Sequence, residues 1–143
     1  MFFKKLSPKT YLIRIKRGEK IIESLNKFCQ KKKIFTGFFY GIGAVDQAEI
    51  AHYDVGKKKY SSKKFNLAME MANITGNIGI FEKGLIIHAH ATFSDVNMKA
   101  LTGHLVEARI SGTAEIHLAS LPKINKLFDK ETGLKLFNLP QLD

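Results

Sequence analysis

The chain has 143 residues, 45% of them hydrophobic, and a formal net charge of +10 at pH 7. That length suits one domain, 1–143, with a sizeable core. No apolar run reaches the roughly 18–20 residues of a membrane span, and Met1–Pro8 lacks the apolar centre of a signal peptide.

A single cysteine, Cys29, excludes an internal disulfide and suits a reducing compartment, so a cytoplasmic location is expected. The excess charge is mostly lysine in short runs, Lys31–Lys33, Lys57–Lys59 and Lys63–Lys64. Such runs serve either as a solvated surface or as a non-specific contact for nucleic acid.

Thr10 to Lys16 alternates as a strand, with Ile13 and Ile15 on the face opposite Leu12, and Gly18 breaks it. From Glu19 to Lys32 the apolar positions Ile21, Ile22, Leu25, Phe28 and Cys29 form one face of an amphipathic helix. Cys29 on that stripe reads as core, not nucleophile. Ile34 to Val45 is strand-like. Its Gly41 and Gly43 lack the third glycine of a dinucleotide fingerprint, where Asp46 stands, and read as a bulge or a close backbone approach. Ala48–Tyr53, Phe65–Ile74 and Ile78–Phe81 are further strands, with a turn at Gly56–Lys59 and a bend at Gly76–Asn77. Glu82–Gly84 turns the chain into Leu85–Phe93. Leu105 to Leu118 reads as one long strand kinked at Gly112, and Pro122 to Asp129 as a short helix. The expected class is α+β: a mainly antiparallel β-sheet with one long N-terminal helix and a short C-terminal helix.

The chemistry concentrates on Leu85–Phe93. Strand alternation puts Leu85, Ile87, Ala89, Ala91 and Phe93 on one face and His88 and His90 together on the other, about 6.5–7 Å apart at Cα. A third histidine, His104, follows a polar loop, and a hairpin would return it to the same face. Three imidazoles suit Zn²⁺, bound at about 2.0–2.1 Å with a fourth position open, although nitrogen donors also take other divalent transition metals. The competing reading is three half-buried polar residues bonded to backbone.

Glu70 lies in an otherwise apolar run, where a carboxylate is paired, ligating or facing a cavity. Glu115 shares a strand face with His117. Arg14 is a rare arginine in a lysine-dominated chain and could grip a carboxylate. These three are the candidates for moving protons or holding an anionic substrate, each weighed against an ordinary ion pair or solvated face. No His-Glu-X-X-His helix is present.

Several ordered motifs resemble the PPC (plants and prokaryotes conserved) domain. They are Tyr11–Glu19 before the helix, Tyr40-Gly41-Ile42-Gly43-Ala44-Val45, Glu70 followed by Thr75–Ile78, His88-Ala89-His90 with Gly103-His104, and the tail Phe128–Leu134. The resemblance covers roughly residues 10–137. It implies an antiparallel α+β fold assembled as a homotrimer, with zinc on His88, His90 and His104. It also implies the stand-alone prokaryotic type, often associated with DNA binding. At greater distance the fold is similar to that of acetolactate decarboxylase, whose zinc site also uses His-X-His plus a histidine. The chain departs in two places: it has no Arg-Gly-Arg-Pro AT-hook, and Thr102 stands where the family usually has a glycine. Two functions follow as expectations. One is a DNA-binding, regulatory homotrimer with a three-histidine zinc site. The other is a metal-dependent small-molecule enzyme or binder using the open zinc position.

Overall fold

The structure, a computed structural model, describes residues 1–142. Nine strands and one helix follow the order β1 (Phe2–Ser7), β2 (Thr10–Lys16), α1 (Ile21–Lys32), β3 (Gly37–Asp54), β4 (Lys59–Phe65), β5 (Met69–Phe81), β6 (Gly84–Ser94), β7 (Ala100–Ser120), β8 (Lys126–Phe128) and β9 (Lys135–Phe137). The first seven strands form one sheet in the order β1-β2-β7-β6-β5-β3-β4, every pairing antiparallel, and β8 and β9 form a small separate hairpin. β3 also pairs with β7, so the contacts β3–β5, β5–β6, β6–β7 and β7–β3 close a circuit. A sheet that closes on itself removes edges and encloses its inner face.

The expected helices need correction. The molecule is 64% strand and 8% helix, so the mainly antiparallel sheet is present while the α+β class, with its long N-terminal and short C-terminal helices, is not. There is no long N-terminal helix: α1 has 12 residues. Lys33 ends it in the left-handed region at φ 54° and donates its backbone N–H to the carbonyls of the last turn. At the other end the Glu19 carboxylate accepts the Lys16 amide at 2.8 Å, holding a turn instead of a first helical turn. The short C-terminal helix expected over Pro122–Asp129 is strand β8 instead, paired to β9 through Lys126↔Phe137 and Phe128↔Lys135. The bend expected at Gly76–Asn77 is also absent, because β5 runs through it in register with both β3 and β6.

α1 buries Ile21, Leu25, Phe28 and Cys29, the stripe its periodicity sets. Its N-terminus carries no side-chain cap of its own. The carboxylate of Glu107 on β7 accepts the amides of Ile22 (2.9 Å) and Glu23 (3.1 Å) in its place. An anion there also meets the positive end of the helix dipole. The buried cluster that these residues join includes Ile13, Ile15, Ile74, Ile78, Phe93, Ile110, Ala114 and Ile116, all fully buried. Cys29 shares that interior, and burial pushes its thiol up to about 12.

Gly41 supplies the close approach that its sequence suggests. A Cβ there would lie 2.3 Å from the Glu115 carbonyl oxygen, and the β3–β5 register shifts between Gly41 and Gly43. Bare backbone at this point lets β3 run against β5 and β7 together.

Candidate metal centre

His88 and His90 project from β6, with Ala89 and Ala91 between and beyond them in the core. The third histidine does not arrive by a loose loop. Antiparallel pairing of β6 with β7 sets His104 directly opposite His90, and Ala91 opposite Gly103. His104 is simultaneously opposite Ala51 of β3. The ring centroids are 5.1 Å apart for His88–His90, 5.2 Å for His88–His104 and 5.8 Å for His90–His104. One nitrogen from each ring lies within 4.8 Å of the others. Tetrahedral ligation at about 2.0–2.1 Å sets nitrogen–nitrogen separations of roughly 3.3 Å, which small side-chain rotations reach from this spacing.

The electrostatics favour neutral imidazoles at His88 and His104. Burial, then the neighbouring His104, His90 and Lys126, push His88 down to about 4. Burial, then His90, lowers His104. A neutral imidazole keeps the lone pair that a metal needs. Nδ1 of His104 is buried and has no hydrogen-bond partner. A buried polar atom left without a partner is costly, and a bound cation would satisfy it. The donor set therefore fits a transition metal. Such an ion on three imidazoles would retain a position for water or an external oxygen and act there as a Lewis acid.

Thr102, the departure from the resembled motif, is absorbed without displacing its neighbours in the β6–β7 register. Its hydroxyl donates to the Ala91 carbonyl at 3.0 Å and lies 3.2 Å from that of Thr92 across the strand pair. Gly103 beside it is required, since a Cβ would come within 2.9 Å of the Ala51 carbonyl oxygen.

The acidic candidates and Arg14 lie elsewhere. Glu70 of β5 and Glu115 of β7 line one cleft, with Ile42, Ala44 and Thr113, that shares no lining residue with the cavity beside the histidines. Arg14 is opposite Glu115 in the β2–β7 register, but its guanidinium carbon sits 4.7 Å over the Phe2 ring. The groups that do accompany the histidines are Tyr60 and Lys126. The Tyr60 ring lies 4.9 Å from that of His104, and burial raises its phenol. Lys126, 4% exposed, donates to Asn77 Oδ1 at 2.7 Å, and burial lowers its ammonium. Both escape sequence reasoning. Tyr60 sits in a lysine-rich exposed strand, and Lys126 falls in the segment whose apolar spacing imitates a helix.

Known proteins place the chain at the level of family and fold. Residues 4–122 match the model of the Plants and Prokaryotes Conserved (PCC) domain. A Bacteroides thetaiotaomicron protein described as a "putative DNA binding protein" has a structure that superposes with a TM-score of 0.91 at 30% identity, covering 96% of each chain. A plant- and prokaryote-conserved protein of Pyrococcus horikoshii superposes at 0.87 with 29% identity, over 99% of this chain and 97% of that one. A metal-containing protein of Archaeoglobus fulgidus superposes at 0.85 with 27% identity, over 96% and 98%. Bacillus subtilis α-acetolactate decarboxylase shares the fold alone, at 13% identity and a TM-score of 0.53, over 85% of this chain and 55% of that one. No curated protein matches the sequence. With 119 consecutive residues matched to one family model and near-complete structural overlap, the chain belongs to the Plants and Prokaryotes Conserved domain family.

Proposed function

We propose that this is a DNA-associated, zinc-binding homotrimer of the PCC family, in which His88, His90 and His104 hold the ion. The observation that carries the metal is the convergence of three imidazoles around an unpartnered buried Nδ1. The similarity to an Archaeoglobus fulgidus protein described as metal-containing supports it. Zinc is preferred because it accepts three histidines with an open fourth position.

An exposed apolar stripe supports the homotrimer. Phe38, Tyr40 and Ile42 alternate along one face of β3 at 50%, 60% and 61% exposure. Large side chains lined up in this way on a solvent face mark an interaction surface, and a second and third copy of the chain are the natural cover. Replacing Ile42 with Asp is expected to lower the mass measured by light scattering to that of a monomer. An unchanged mass would remove the stripe from the interface.

The net charge of +10 and the description of the Bacteroides relative support the DNA association. A trimer multiplies modest lysine clusters, and phosphate binding of that kind weakens steeply with salt. Duplex binding followed across a salt titration tests it, and no binding at low salt would overturn it. Metal analysis of untagged protein tests the centre. Wild type should carry one zinc per chain and His88→Ala should carry almost none; equal, weak zinc binding by both would end the reading.

A second reading, a metal-dependent small-molecule binder or enzyme, is favoured by one observation. A cavity of about 340 Å³ is lined by His88 and His104. If zinc holds its open position there, a ligand oxygen could reach it, and Tyr60, its ring 4.9 Å from that of His104, carries an exchangeable proton.

A further inference from the structure

The cavity beside the histidines is half built from the C-terminal hairpin, beyond the stretch that the family model matches. Two hydrogen bonds help seat that tail. Tyr53 donates its hydroxyl to the Thr132 carbonyl at 2.8 Å, and Lys58 its ammonium to the Lys130 carbonyl at 2.7 Å. The hairpin brings Lys126, Leu134, Lys135 and Leu136 to the cavity wall.

Lys126 is the anomaly. Its ammonium has three donors, and among the described residues one acceptor receives it, Asn77 Oδ1 at 2.7 Å, with the Phe137 ring centroid 4.6 Å away. Asn77 is directly opposite His88 in the β5–β6 register, so the ammonium lies close to the histidines. No carboxylate lies within 4.0 Å of it among the described residues. None lines the cavity, while Lys135 adds a second positive charge. A lysine this buried without a counter-charge is costly to keep. An anion entering the cavity would offset that cost. Besides the lysines, His88, His104 and Tyr60, the wall is apolar, with Ile86, Ile87, Leu134 and Leu136. A volume of about 340 Å³ is at the small end for ligand sites, which restricts the occupant to a small molecule.

We propose that this cavity binds a small organic carboxylate, its charged end paired with Lys126 and a short apolar body against Ile86, Ile87, Leu134 and Leu136. The site adjoins the histidines but does not rest on a metal being there.

The probe is isovalerate, with isovaleramide as its uncharged counterpart and inorganic phosphate as an anion lacking a carbon body. Each is titrated into the full chain, metal-free and zinc-loaded, and followed by methyl NMR. Isovalerate is expected to shift the methyl signals of Ile86, Ile87, Leu134 and Leu136 in both metal states. Isovaleramide and phosphate should bind at least tenfold more weakly. Lys126→Met, which keeps the aliphatic stem, should lose isovalerate affinity at least tenfold while still melting cooperatively. Equal affinity for acid and amide, binding of phosphate as tight as that of isovalerate, or no shift of those methyls would each overturn the proposal. So would isovalerate binding that requires zinc and ignores Lys126→Met, because the anion would then sit on the metal. Should the variant not fold, the acid–amide comparison on wild type decides alone. Binding by metal-free protein, with zinc failing to load, would sink only the zinc reading.

Discussion

His90 and His104 are direct partners across the β6–β7 ladder, although they stand 14 positions apart in the chain. Residues directly opposite in an antiparallel pair have Cβ atoms about 4.5–5.5 Å apart. Two of the three imidazoles are therefore placed by backbone hydrogen bonding and the third, His88, by alternation along β6. All three histidines sit on strands, not on loops, which favours a fixed geometry over an adaptable one.

Removing the cross-strand donor should therefore abolish tight metal binding. His104→Ala is expected to lose bound zinc in metal analysis. Zinc at a thousandfold excess over its Kd should stabilise wild type by about 4 kcal/mol, a rise in Tm of roughly 10 °C. The same addition should leave the melting curve of His104→Ala unmoved. A full zinc-induced rise in the variant would mean that the donors are other residues.

The helix cap can be tested apart from the metal. Glu107 reaches from β7 to the first turn of α1 and accepts two of its amides. Glu107→Ala leaves both without this partner and is expected to cost about 1–2 kcal/mol in urea unfolding, with an unchanged m value. An unaffected midpoint would show that water caps the helix equally well.

Gly76 backs the histidine strand. A Cβ there would lie 2.4 Å from Cζ of Phe39, a fully buried ring, and 2.5 Å from the His88 carbonyl oxygen. Gly76→Ala should destabilise the fold by about 1–3 kcal/mol and shift the backbone of His88. Thermal melting and the His88 amide signal in NMR report the two effects. A variant as stable as wild type would show that Phe39 has room to move.

Cys29 is fully buried, and burial holds its thiol at about 12. Thiolate, the reactive form, is then scarce at pH 8. Native protein should resist a disulfide reagent for hours and react at once in guanidinium, with one thiol counted per chain. Rapid reaction of the native protein would reveal frequent opening of the α1 face.

Local patterns were the legible part of the chain. Alternation identifies Leu85–Phe93 as a strand with His88 and His90 on one face, and the apolar stripe of α1 predicts its buried residues. Both depend only on the geometry of a single element. The helix expected at Pro122–Asp129 misleads because a short apolar segment fits either periodicity, and pairing with β9 decides between them. Glu70 and Glu115 attract notice as charges among apolar neighbours, yet sequence carries no information on which wall each would line.

The sequence by itself determined the strand faces, the core stripe of α1, the motifs of the family and the paired donors on β6. Only the tertiary structure decided that His104 stands opposite His90, that the sheet closes through β3 and β7, and that Lys126 comes to rest beside the histidines. Side-chain direction along one strand follows from its own backbone. Which strand lies beside it, and in what register, is set by burial and hydrogen bonding between segments far apart in the chain.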